Sequence, residues 1–313
     1  MKDALVFGAA GFVGRYLAIE LKKNGYYVVG SDVVEPAGVQ DSSFGLNHTS
    51  DTGIRYGDEA VFDEFVTGDL LDMAGVISTI EKYRPSAIIN LAAVSSVGQS
   101  WKIPQKTIEV NVNGGLNILE AARTIVPEAS ILFVGSSEEY AVSDKPINET
   151  APLNANNPYG ISKLALEQFS EIYRARYGMK VHHVRSFNHT GVGQSGRFVI
   201  PGWCAQAARI TKSGKPGTMR VGNTSVVRDF GDVRDVVRAY RLVLESKDCS
   251  VVYNIGSGKG TRLSDLLEYI VSLSPCRITT EQDQELFRPA DNPVIVCDHT
   301  LITQRLGWEP EHT

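Results

Sequence analysis

The sequence predicts an α/β protein, a doubly wound parallel sheet with a smaller α/β C-terminal domain. Three observations lead there. Short β-branched runs alternate with longer helical patterns through the first half, as in a parallel sheet covered by helices. A turn with three spaced glycines, Gly8-Ala-Ala-Gly11-Phe-Val-Gly14, joins the first strand to the first helix. After Phe187 the pattern becomes less regular and breaks at glycines and prolines, which suits a smaller second unit closing over the sheet. Residues 1–186 with about 229–255 are assigned to the sheet domain, and about 187–228 with 256–313 to the second.

Taken in order, strands are expected at Ala4–Phe7, Tyr27–Ser31, Phe65–Thr67, Ala87–Leu91, Ile131–Gly135, Val181–Arg185 and Val251–Ile255. Helices are expected from Phe12 to Lys23, from about Ile103 to Ile125 and from Pro158 to Tyr177. Asn157 can cap the last of these, and Pro158 sits at the first helical position, where its missing N–H costs nothing. Residues 33–62 are polar and aperiodic and are taken as a long insertion after the second strand.

Composition excludes several classes. The 313 residues carry 31 Lys+Arg against 36 Asp+Glu, a net charge of −5, with 42% hydrophobic residues. That is an ordinary globular composition, with no basic footprint for nucleic acid. Cys204, Cys249, Cys276 and Cys297 show no metal-ligand or redox spacing, so no metal is expected. His182, His183, His189 and His299 fit no metal spacing and are read as structural. No signal peptide and no apolar run of about 18 residues is found, so the expectation is a cytoplasmic protein without a membrane partner.

Three motifs carry chemistry. Glycines after a first strand let the backbone approach a pyrophosphate, and the following helix offers free N–H groups to it. Asp32 ends the second strand, where an acidic side chain accepts hydrogen bonds from an adenosine ribose. Together they predict a Rossmann-type dinucleotide site. Tyr159 and Lys163 lie four apart on one helix face, and the ammonium is expected to lower the phenol's pKa, making it a proton donor or acceptor. Ser136 and Glu138 lie just beyond a central strand, at the sheet edge where ligands bind. Adjacent glutamates such as Glu138 and Glu139 are more often solvated charge, but position raises the functional reading for one of them.

With these residues in place, the chain resembles the extended short-chain dehydrogenase/reductases. The resemblance rests on the glycine motif with Asp32, Asn90-Leu-Ala-Ala93, Ser136 and Tyr159-xxx-Lys163, in order along essentially the whole chain. Ser95-Ser96-Val97, Gly135-Ser-Ser-Glu-Glu-Tyr140, Arg185-Ser-Phe-Asn188, Arg228-Asp-Phe and Arg288-Pro-Ala-Asp291 narrow it to the group of GDP-6-deoxy-4-keto-D-mannose reductases and GDP-mannose 4,6-dehydratases. Asn90 and Val192 depart from that pattern, standing where a histidine and a proline are common.

The resemblance implies Ser136, Tyr159 and Lys163 as catalytic, with Glu138 where the dehydratases keep a catalytic glutamate. It implies a nicotinamide cofactor, NAD with NADP as the alternative. Gly8, Gly11, Phe12, Val13, Gly14, Asp32, Asp69, Leu70, Leu91, Ala92 and Ala93 would hold it with Tyr159 and Lys163. Ser95, Ser96, Asn188, Val199, Arg228 and Arg288 would hold a GDP-linked sugar. The competing reading of the arginines is an internal salt bridge to Asp229, Asp232 or Asp291. A homodimer through the helices near 103–125 and 158–177 is implied by the same analogy. The leading expectation is reduction at C4 of the sugar; a 4,6-dehydratase is the first alternative and a 4-epimerase the second. A non-enzymatic dinucleotide sensor would have no need of the triad.

Overall fold

A computed structural model describes residues 2–35, 61–287 and 291–312. Most of the 33–62 insertion, and Arg288, lie outside the described residues.

The glycine turn sits between β1 (Lys2–Phe7) and α1 (Phe12–Lys23), followed by β2 (Tyr26–Asp32) and β3 (Glu64–Thr67). The chain continues through α2 (Met73–Tyr83), β4 (Ala87–Asn90), α3 (Val97–Lys102), α4 (Pro104–Ile108) and α5 (Gly114–Ile125). Then come β5 (Ser130–Ser136), α6 (Pro158–Tyr177), β6 (Lys180–Ser186), β7 (Asn188–Thr190) and α7 (Val199–Ser213). The remainder is β8 (Gly217–Val221), β9 (Val227–Asp232), α8 (Val233–Leu244), β10 (Tyr253–Ile255), β11 (Gly260–Arg262), α9 (Leu263–Ser272), β12 (Ile278–Gln282), β13 (Val294–Ile295) and α10 (Thr300–Leu306).

Seven strands form one parallel sheet in the order β10-β6-β5-β4-β1-β2-β3. Successive β1 residues alternate between two apolar layers. Ala4 and Val6 face α1 and α8, whereas Leu5 and Phe7 face α2, α5 and α6. That alternation follows from the two-residue period of a strand, and burial on both faces explains its unbroken apolar run. Each fully buried Leu or Ile, such as Leu5, Ile88 and Ile89 at 0% exposure, contributes about 1.5–3 kcal/mol.

The order reverses between β1 and β4, which pair in register with Phe7 opposite Asn90. The two loops leaving them therefore face each other across the switch point where open α/β sheets bind ligands. Gly8 has φ 76°, and a Cβ there would lie 2.4 Å from the Ala92 backbone nitrogen. The first glycine is thus required both by conformation and by the approach of the second loop.

The helices from Phe12 to Lys23 and Pro158 to Tyr177 have the predicted bounds. The expected helix over 103–125 is broken instead. A π-turn at Glu109–Asn113 separates α4 from α5. The reason is tertiary: Asn111 turns its side chain inward, accepting from the Val94 N–H at 2.8 Å and donating to Ser162 Oγ at 2.9 Å. Beyond the main sheet, β11, β9 and β13 form a small sheet joined by β7, and β12 pairs with β8. Trp203, Met219, Val221 and Leu267 fill a separate apolar cluster beneath them. Among the described residues no helix is long and apolar enough to cross a membrane.

Candidate active site

Ser136 is the last residue of β5, and Tyr159 is in the first turn of α6. Two features join these elements at the carboxyl edge of the sheet. Asn157 caps α6, its side chain accepting from Gly160 N at 2.9 Å while donating to Glu138 Oε2 at 2.9 Å. Gly160 has no side chain to hold the helix away: a Cβ would lie 2.3 Å from the Glu138 carbonyl oxygen. One cap residue and one glycine therefore seat the helix start on the turn that follows β5.

The Ser136 side chain faces the Tyr159 phenol closely enough to pull its pKa down. Lys163 Nζ donates to the Val134 carbonyl at 2.8 Å and lies 5.7 Å from the centre of the Tyr159 ring. Ser136 Oγ also accepts from Glu138 N at 3.2 Å. Ser136, Glu138, Tyr159 and Lys163 thus meet at one place, as their spacing in the sequence predicts.

Their electrostatics differ from the expectation. Burial raises the Tyr159 phenol above its usual pKa; the Ser136 side chain opposes this, and Glu139 and Glu138 add to it. The lysine does not bring the phenol down here. Its own ammonium is pulled to about 8 by burial, against the raising influence of Glu139. Desolvation of both groups outweighs the attraction between them.

The dinucleotide side is built from backbone. No side chain caps α1, whose N-cap is Gly11, so its first N–H groups face the switch point. Phe12 and Val13 begin that helix, and a Cβ on Gly14 would lie 2.3 Å from the Ala9 carbonyl oxygen. Asp32, at the end of β2, accepts from Ala10 N at 3.0 Å and from Val33 N at 2.7 Å, which ties it to the glycine turn. Asp69 and Leu70 follow β3, with Asp69 exposed and Leu70 buried against Gly114. Leu91, Ala92 and Ala93 follow β4, and Asn90 Oδ1 braces that loop by accepting from Ala92 N at 3.1 Å.

The residues implied for a sugar nucleotide are more dispersed. Ser96 caps α3, with exposed Ser95 before it. Asn188 opens β7 and is exposed, and Val199 begins α7. Arg228 on β9 is buried and paired with Asp291 Oδ1 at 2.5 Å. That is the internal salt bridge considered above as the competing reading. Arg288 lies outside the described residues.

Two residues not singled out from the sequence belong to this region. Asn111 ties α6 to the loop after β4, and the sequence hint was a poor helix former three residues before a glycine pair in an otherwise helical run. Glu139 is fully buried beneath Ser136 rather than solvated. The Ser136 N–H is a local partner, of the kind the Ser136-x-x-Glu139 spacing announces, whereas those that bury Glu139 come from β6 and α6, which nothing local announces.

Comparison with known proteins yields consistent matches. The family model described as GDP-mannose 4,6 dehydratase matches residues 5–313. The chain is 32% identical over 232 residues to a GDP-6-deoxy-D-mannose reductase of Pseudomonas aeruginosa, covering 73% of this chain and 76% of that protein. Among solved structures it is similar to RMD from Pseudomonas aeruginosa complexed with NADPH. That match has 27% identity and TM-score 0.78, covering 100% and 95% of the two chains. A Thermus thermophilus UDP-glucose 4-epimerase in complex with NAD is also similar, at 27% identity and TM-score 0.79, covering 99% and 94%.

Proposed function

The chain belongs to the GDP-mannose 4,6-dehydratase family of extended short-chain dehydrogenase/reductase enzymes, and on that premise we propose that it reduces a GDP-linked 4-keto-6-deoxy hexose. The observation that carries the reading is the joining of Ser136 to Tyr159, with Lys163 beside the phenol ring. A dinucleotide held with its pyrophosphate on the glycine turn would supply the hydride for sugar C4. Tyr159, held protonated by burial, gives its proton to the C4 oxygen, and Ser136 orients that oxygen. A ketone reduction needs no other proton.

NAD is the favoured cofactor within this reading. Asp32 accepts hydrogen bonds from a free ribose 2′-hydroxyl and repels a 2′-phosphate. Val33 and Val34, which follow it, offer no cation. The sheet domain and the smaller C-terminal region would divide cofactor and sugar nucleotide between them. Exposed Ile161 and Ile172 on α6 fit a homodimer through that helix.

A second reading, a 4,6-dehydratase, is favoured by Glu138. Water elimination across C5–C6 demands a group that takes the C5 proton, and Glu138 is partly exposed beside the triad. Two variants separate the readings. In the reductase, Tyr159→Phe lowers kcat by ~10²–10⁴ while Glu138→Gln retains most ketone reduction. Equal loss in both variants, with water loss from GDP-mannose in the parent, would assign the lyase.

A further inference from the structure

The small sheet that carries Arg228 is fastened to the main sheet through a buried carboxylate. Asp229, the next residue on β9, is 0% exposed. Its Oδ1 accepts from Ser257 N at 2.8 Å and from Ser257 Oγ at 2.6 Å. Its Oδ2 accepts from Gly258 N at 2.8 Å and from Cys297 N at 3.0 Å. Ser257 and Gly258 lie in the turn between β10 and β11, and Cys297 lies just beyond β13. Gly256 lets these segments close on one another: a Cβ there would lie 2.5 Å from Cys297 Cβ.

Strand register gives this carboxylate its place in the site. Arg228 stands opposite Thr261 of β11 on one side and Ile295 of β13 on the other. The two strands that flank the arginine are therefore the two whose ends Asp229 pins. Asp291, the arginine's partner, lies on the segment that leads into β13. In the main sheet, Ile255 of β10 stands opposite Ser186 of β6, which stands opposite Ser136 of β5. Ser257 thus emerges just beyond the row that ends in the proposed catalytic serine. One carboxylate spans from that row to the strands around Arg228.

Resting on the reading that the C-terminal region takes the sugar nucleotide through Arg228, we infer that Asp229 is a positioning residue for that arginine. Its carboxylate sets where the guanidinium stands relative to Ser136 and Tyr159. A carboxylate suits the task because all four partners are donors. An asparagine of the same shape must turn its NH2 either toward the Ser257 N–H or toward the N–H groups of Gly258 and Cys297. Either way a buried backbone donor loses its acceptor, and the turn or the strand end must shift. The arginine between them moves with it. Gly8–Gly14 follow β1, four strands from β10 in the sheet, and take part in none of these bonds. Dinucleotide binding therefore serves as the internal control.

The test is calorimetric titration of Asp229→Asn with GDP and with NADH, folded protein being counted by NADH stoichiometry. GDP binding should weaken about tenfold while NADH affinity stays within about twofold of the parent. An aspartate that only stabilises the fold would lower the unfolding temperature and leave both affinities per folded site unchanged. That result overturns the inference, as does equal weakening of both ligands. GDP carries no keto group, so a parent that binds GDP but leaves 4-keto sugars unreduced overturns the proposed reaction and not this inference. A parent that does not bind GDP overturns the inference. If Asp229→Asn fails to fold, Ser257→Ala, which removes one of the four donors, decides. A GDP affinity about two- to fivefold weaker, with NADH unchanged, supports the inference; parental GDP affinity overturns it.

Discussion

The proposed catalytic edge and the proposed sugar-nucleotide region make opposite use of the chain. At the catalytic edge several contacts run between residues close in sequence, Ser136 with Glu138 and Glu139 and Asn157 with Gly160. Those from α6 back to β5 and its turn span 19 to 29 residues, Asn157 to Glu138 and Lys163 to Val134. In the second region Arg228 reaches Asp291, and β12 pairs with β8 about sixty residues away. Motif spacing can specify the first arrangement because the partners travel together. It cannot specify the second, where a functional arginine and a salt-bridged one look the same until the partner is in view.

The largest expected effect tests the claim that the first region tolerates no change in shape. Gly8→Ala places a Cβ against the Ala92 backbone at a φ of 76°. A loss of about 3 kcal/mol or more, with dinucleotide binding abolished, is expected from strain and overlap together. Thermal unfolding and dinucleotide titration check it, and an alanine variant that binds like the parent breaks the comparison.

Next comes Lys163, buried and titrating at about 8 when folded. Its unfolded value lies near 10.5, so between those pH values the unfolded chain binds more protons and stability rises with pH. The gain reaches up to about 3 kcal/mol. Chemical denaturation from pH 7.5 to 10 should show the rise in the parent and its absence in Lys163→Met; parallel profiles would mean the ammonium is better solvated than the geometry implies.

A smaller effect sharpens the other half of the comparison. If the diphosphate shares Arg228 with Asp291, Arg228→Ala costs a charge-assisted contact worth about 1.5–3 kcal/mol, roughly 10- to 150-fold in GDP affinity. Asp291→Asn should do the reverse and tighten GDP several-fold, because it weakens the hold on the guanidinium and removes a negative charge beside it. If both variants bind GDP as the parent does, Arg228 is a structural residue.

The smallest effect concerns cofactor choice. Asp32 should make NADH bind more tightly than NADPH, and Asp32→Ala should narrow the gap while slackening the glycine turn it braces. Equal binding by calorimetry in the parent would point to a phosphate-binding cation elsewhere.

These contrasts explain what was legible in advance. The seven parallel strands and the two helices bearing the glycine motif and Tyr159-xxx-Lys163 declare themselves through apolar runs, caps and turn glycines. The break at Asn111 does not, because its cause is a pair of hydrogen bonds to Val94 and Ser162. The meeting of Ser136, Glu138, Tyr159 and Lys163 was foreseeable; the sign of the phenol's shift was not, since it depends on burial that spacing leaves unspecified. Glu139 looked like solvated charge for the same reason. Its burial is decided by His183 and Arg185, on a strand that only the folded sheet brings alongside.

The central claim is a two-electron reduction at sugar C4. Mass spectrometry of products formed from GDP-linked 4-keto-6-deoxy hexoses and GDP-mannose, with and without NADH, tests it most directly. The account predicts a gain of two hydrogens on the keto sugar, dependent on added NADH, and no change in GDP-mannose. Loss of water from GDP-mannose without added cofactor would contradict it.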